Sequence, residues 1–186
     1  MSALRIANRY AQSLLQLSIE TGQLEQVMQD IHQLKTSMED SREFLLMLRS
    51  PIINSDRKLN VLNTVFKGRI STLTQNFLEI LVRKGREKFL PEVVFVFREK
   101  YNEHKGITPV VLSTPYPLSD EVKQNIISKL KEHHQLKTVE LEEVIDESLI
   151  GGYVLHFNGK MIDTSISRGL AILKDDFDNN DYIRKF

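Results

Sequence analysis

The chain has 186 residues, with basic and acidic side chains balanced at 25 each and no cysteine. Its 41% hydrophobic and 27% charged content is ordinary for a folded chain, so long disordered stretches are not expected, and the length allows one large domain or two small ones. The missing thiols exclude disulfides, thiolate metal sites and cysteine nucleophiles.

The first hundred residues read as helix after helix. Ile6, Tyr10, Leu14 and Leu17 recur at helical spacing and predict one face of a first helix that Gly22 ends. Leu24, Val27, Ile31, Leu34 and Met38 repeat the pattern. Asp40 or Ser41 is placed to cap a short third helix that stops at Pro51. Ser55 is the expected cap of a fourth helix, which carries Leu59, Leu62, Val65 and Phe66 up to Gly68. A fifth holds Leu73, Phe77, Ile80 and Leu81 and ends at Gly85. The sixth holds Phe89, Val93, Val96, Phe97 and Tyr101, with Pro91 in its first turn, and ends at Gly106. Helices this short are marginal alone, so they must bury their apolar faces together as a bundle.

The pattern changes at Gly106. The β-branched segment from Ile107 to Ser113 predicts a strand, and Ser119 opens a helix with Val122, Ile126, Ile127 and Leu130. From Thr138 to Ile145 apolar and acidic residues alternate, as in a half-exposed strand. Two apolar runs, Tyr153 to Phe157 and Lys160 to Ile162, meet at Asn158-Gly159, the residue pair that a two-residue hairpin turn favours. A helix over about 165–173 follows, and a charged tail, 175–186, is expected to fray. The fold class is therefore α+β: a six-helix bundle over residues 1–105 and a small α/β domain with a β-hairpin over 106–186. Charge divides at the same place, with 16 basic and 12 acidic residues before it and 9 and 13 after it.

A membrane span is not expected, since no apolar run is longer than that from Val93 to Phe97. The N-terminus lacks the apolar core of a signal peptide, so membrane association is expected to come through a partner. The first domain is not basic enough for a nucleic-acid binder.

No arrangement of residues for catalysis emerges. His32, His104, His133, His134 and His156 match no metal-binding spacing, and neighbours such as His133 and His134 splay by ~100° on a helix. Gly159-Lys160 lacks the rest of a phosphate loop, and Gly151-Gly152 lacks the third glycine of a dinucleotide fingerprint. Ser165 has no nucleophile elbow around it, and Asp163-Thr164-Ser165 reads as a helix cap. Glu142 and Glu143 point to opposite faces of a strand. Arg83-Lys84-Gly85-Arg86 reads as favourable charge at a helix end. No cofactor is expected, and the residues alone describe a two-domain adaptor. One feature is left over. The first helix adds Leu4, Leu15 and Ile19 to its stripe and the fifth adds Leu78 and Val82, which suits either deep burial or a groove for a partner helix.

The C-terminal run Asp146-Glu147-Ser148-Leu149-Ile150-Gly151-Gly152, then Asn158-Gly159-Lys160-Met161-Ile162-Asp163-Thr164-Ser165-Ile166-Ser167-Arg168-Gly169-Leu170, is a specific signature. Arg9-Tyr10-Ala11, Pro51 with Lys58, and Asn76-Phe77-Leu78 before Gly85-Arg86 support it. With these residues the chain resembles, nearly end to end, the delta subunits of bacterial F-type ATP synthases, the family of the mitochondrial oligomycin-sensitivity-conferring protein. Glu147 stands where proline is frequent in that family and Thr164 where glycine is frequent; both are local turn changes.

The resemblance implies a non-catalytic stator subunit, one copy per synthase, at the cytoplasmic face of the bacterial inner membrane. It implies that the first and fifth helices form a groove for the N-terminal helix of an alpha subunit. The groove residues it suggests are Ala7, Tyr10, Ala11, Leu14, Phe77, Leu78, Leu81 and Val82. The second domain is implied to meet the C-terminus of the b subunits. The competing reading is a helical adaptor of another complex, an RNA-associated one included.

Overall fold

Glycine, proline and small hydroxyl side chains punctuate the chain into its elements. The computed structural model describes residues 3–134 and 136–178. It divides into two compact units, Met1–His104 and Lys105–Phe186.

The first unit contains α1 (Ala3–Glu20), α2 (Leu24–Asp40), α3 (Arg42–Arg49), α4 (Ser55–Phe66), α5 (Thr72–Arg83) and, after a 3-10 turn at Glu87–Phe89, most of α6 (Leu90–Lys105). Ser41 caps α3, its hydroxyl accepting from the Phe44 amide at 3.2 Å. Ser55 is not a cap. Asn54 takes the extended N-cap backbone, without a side-chain hydrogen bond, and Ser55 is the first helical residue. Phe89 closes the 3-10 turn rather than opening α6, so Pro91 is the second residue of that helix, where no intrahelical N–H is needed. The core is built from Leu14, Val27, Ile31, Leu34, Leu81 and Phe97, all essentially without solvent contact.

The faces of α1 and α5 differ in part from those expected. Ile6 and Leu14 of the expected stripe are buried together with Ala7, Ala11, Leu15 and Ser18, whereas Leu17 is 47% exposed. On α5, Thr74, Leu78, Leu81 and Val82 are buried, whereas Ile80 is 52% exposed. Small residues cause the difference. Alanine, serine and threonine let helices approach closely, so they define the packed face while bulkier residues a step round the helix stay open.

The second unit is a four-stranded mixed sheet in the order β2-β1-β3-β4. Strand β1 (Ile107–Thr114) pairs in parallel with β2 (Thr138–Ile145), and α7 (Asp120–His134) connects them. Strand β3 (Val154–Phe157) pairs antiparallel with β1 and with β4 (Lys160–Asp163). Asn158 and Gly159 join β3 to β4 with φ of 47° and 70°, the left-handed geometry of a tight hairpin turn. Val110, Leu112, Ile126, Leu130, Leu155 and Phe157 make the core. Along β2, Val139 and Leu141 face inward; the next inward position is Glu143, which pairs with Lys123 at 2.8 Å, and Val144 faces out.

The last helix, α8, runs Ile166–Asp178 and so passes the expected end at residue 173. The expected fraying from residue 175 is therefore corrected as far as Asp178; the remaining tail, 179–186, lies outside the described residues. Its apolar repeat continues through Leu173 to Phe177, which keeps one helical face intact. Ser165 caps α8 by accepting from the Arg168 amide at 3.2 Å, and its own amide donates to Asp163 at 2.9 Å. The loop before β3 is held against this cap. Gly152 has φ of 79°, and a Cβ there would lie 2.3 Å from the Thr164 carbonyl oxygen. Gly152→Ala is expected to cost about 2–3 kcal/mol, from the left-handed backbone and the contact with Thr164. Gly159→Ala meets nothing within 4 Å and should cost only the backbone part, about 1–2 kcal/mol. Urea denaturation of the two variants side by side checks the ranking.

Candidate functional site

The open faces of α1 and α5 meet at one point. The rings of Tyr10 and Phe77 touch edge to face, with centroids 6.3 Å apart and planes at 72°. Both residues are half-buried. Leu17 lies two helical turns along α1 from Tyr10, and Ile80 one turn along α5 from Phe77, each with about half of its surface in solvent. Together they form an apolar face on the first unit.

Of the eight residues suggested for a groove, only Tyr10 and Phe77 reach this surface. Ala7, Ala11, Leu14, Leu78, Leu81 and Val82 are at most 4% exposed and lie beneath it. Leu17 and Ile80 are on the surface but were assigned to the core stripes. The signal that could have found them was the small-residue set Ala7, Ala11 and Ser18, which marks the packed face.

Two buried polar groups fix the helices behind this face. Asp30 of α2 is fully buried at the start of α5. Its Oδ2 accepts from the Ser71 amide at 3.0 Å, the Ser71 hydroxyl at 2.5 Å and the Thr74 hydroxyl at 2.7 Å. A carboxylate at a helix N-terminus meets both the free amides and the positive end of the dipole. Lys58 of α4, 2% exposed, donates to the carbonyls of Leu48 and Ser50 at 3.0 and 2.8 Å and to Glu87 at 2.6 Å. It thereby ties the end of α3 to α4 and to the turn before α6. Asp30 was missed in the sequence, although an acid one residue before Ile31 in a helix of buried apolar residues was a visible signal. Arg83, in the basic cluster at the end of α5, is exposed and pairs with Glu79 one turn back.

The second unit has its own open face. Ile166, Leu170, Leu173 and Phe177 recur along one side of α8 and are each at least half exposed. The titrating groups nearby serve local structure. Hydrogen bonds from Ser165 hold the Asp163 carboxyl below its usual range. Those from Ser148 do the same for Asp146. The Lys123 ammonium lowers Glu143, and Glu143 raises Lys123 in return. Thr164 donates its hydroxyl to the Tyr153 carbonyl at 2.9 Å. His133 and His134 close the last turn of α7; the side chain of His134 lies outside the described ones. Among the described residues, no group of three or more histidine, aspartate or glutamate side chains is placed to hold a metal ion. Nor is any helix among them long and apolar enough to cross a membrane.

Each unit thus carries an open apolar helix face, with Asp30, Lys58 and Asp163 held in local structure. The family model described as the ATP synthase delta (OSCP) subunit matches residues 6–177. The chain belongs to that family and is a structural, non-catalytic subunit of the F-type ATP synthase peripheral stalk. It is 34% identical to the ATP synthase subunit delta of Christiangramia forsetii over 185 residues, covering 100% of both chains. It is 32% identical to that of Amoebophilus asiaticus, over 97% of this chain and 98% of the relative. In fold it is similar to a chain in the cryo-EM structure of the Toxoplasma gondii mitochondrial ATP synthase hexamer. The TM-score there is 0.72 at 24% identity, covering 92% of this chain and 96% of that one.

Proposed function

We propose that the first unit receives the N-terminal helix of an alpha subunit on the α1–α5 face, and that the second unit meets the C-terminus of the b subunits. The observation that carries this reading is the half-open Tyr10–Phe77 contact between exposed Leu17 and Ile80. An amphipathic helix laid there would bury its apolar stripe on these four residues. The buried Ala7, Ala11, Leu14, Leu78, Leu81 and Val82 would form the support below, fixing the distance between the two helices. The stripe on α8 offers the b subunits a second helix-packing surface.

Joined at both ends, one copy per synthase would link the catalytic head to the membrane-anchored b subunits on the cytoplasmic face of the bacterial inner membrane. Rotation of the central stalk during proton-driven ATP synthesis exerts torque on the head. The docked helices must therefore dissociate slowly compared with each catalytic step, a demand that buried apolar anchors meet.

Calorimetric titration of the full chain with a synthetic peptide of the cognate alpha N-terminus tests the reading. One-to-one binding is expected, with Ile80→Asp lowering affinity by about tenfold or more, since a charge would be buried at the contact. Unchanged affinity in Ile80→Asp and in Tyr10→Ala would reject this face as the site.

A further inference from the structure

The first unit carries a second groove, on helices that the α1–α5 face does not use. It lies between α2, α3 and α6 and encloses about 370 Å³. Its apolar lining includes Met38, Leu45, Val94 and Phe95. Met38 and Val94 are buried from below, but Phe95 stands 60% exposed on a helix whose other large apolar residues are buried or half-buried.

The groove is also asymmetric in charge. Lys35, Arg42 and Arg98 line it, with Glu39 as the acid on its wall. Glu39 is already paired with Lys35, one turn back, at 3.4 Å. Among the described residues, Arg42 on α3 and Arg98 on α6 have no carboxylate partner. The Nε of Arg98 is turned inward and buried without an acceptor, so only the rest of its guanidinium is left to meet a partner. Exposed Arg42 and half-buried Arg98 leave positive charge uncompensated beside an apolar floor, which carboxylates of a docked partner would complement.

We propose that this groove docks an acidic amphipathic helix from a partner protein. Its apolar stripe would cover Phe95 and the floor, and its carboxylates would reach Arg42 and Arg98. Open grooves across packed helices take helices through apolar anchors spaced by three and four residues. The two arginines select against a basic helix, because like charges brought together in a desolvated groove are strongly disfavoured. Because α2, α3 and α6 are not α1 and α5, one subunit could hold two partner helices at once, which would resist twisting better than one. The inference rests on the reading of this chain as a part of the assembled synthase.

The test is photo-cross-linking in the purified synthase, with p-benzoylphenylalanine placed at Phe95 in one preparation and at Ile80 in another, and the adducts sequenced by mass spectrometry. The Phe95 position is expected to cross-link to one helical segment rich in aspartate or glutamate. The Arg42→Glu/Arg98→Glu double variant should lower that adduct about tenfold and leave the Ile80 adduct unchanged, which also shows that the unit is folded. The proposal falls if Phe95 gives no adduct, gives one on a segment without carboxylates, or gives an undiminished one in the double variant. An absent Ile80 adduct would instead count against the α1–α5 reading, whatever Phe95 shows.

Discussion

Lys58→Met is expected to destabilise the helical unit by about 3–5 kcal/mol, the cost typical of removing one partner from a buried ion pair. The side chain is 3% exposed and its Glu87 partner 12%, so neither charge is replaced by water when the other is lost. Three acceptors depend on the one ammonium: the Leu48 and Ser50 carbonyls and Glu87 Oε1. Glu87 Oε2 is itself buried without a partner, so Lys58 is what compensates that carboxylate. Methionine keeps most of the volume and removes only the charge and its donors. Urea denaturation followed by circular dichroism gives the loss directly. The double variant Lys58→Met/Glu87→Gln should lose less than Lys58→Met alone, because no uncompensated charge remains. A loss below about 1 kcal/mol for the single variant would mean the site relaxes or admits water.

The same residue shows what a sequence carries and what it hides. Lys58 could be singled out beside Pro51, but nothing local says that its partner is 29 residues away on the turn before α6. Elements set by local chemistry were legible: the Ser41 cap, the Asn158-Gly159 turn and the Asp163-Thr164-Ser165 cap each depend on residues within a few positions. Element boundaries were less so. Ser55 lost the cap position to Asn54, and α8 outran its expected end because its stripe continues to Phe177.

The candidate site was legible as a pair of helices but not as a pair of faces. Reading bulky residues as core put Leu17 and Ile80 inside and treated Leu78 and Val82 as surplus, whereas the structure buries the latter and exposes the former. Helical periodicity fixes the angle between residues, not which side of the helix a neighbour occupies. That choice is made by close approach at Ala7, Ala11, Ser18 and Thr74, whose small side chains carry little weight in a hydrophobic pattern.

Asp30→Ala is expected to cost about 3–4 kcal/mol, since three donors lose a charged acceptor in a site closed to water. The loss stays below the sum of three such bonds because the carboxylate already carries one unsatisfied oxygen, Oδ1, whose burial cost disappears with it. Asp30→Asn separates charge from shape. Its carbonyl can occupy the Oδ2 position and keep the Ser71 and Thr74 donors, but its amide then sits where Oδ1 finds no partner. It should cost about half as much as alanine, roughly 1–2 kcal/mol. The consequence reaches the proposed docking face, because Asp30 anchors the first turn of the helix that carries Phe77 and Ile80. Hydrogen exchange at the α5 amides should quicken in Asp30→Ala before exchange elsewhere in the unit, since the carboxylate secures the N-terminus of α5. Affinity for the alpha-subunit peptide should fall in step. Faster α5 exchange with unchanged peptide affinity would separate the two roles: α5 would need Asp30 for stability, but the docked helix would not need α5.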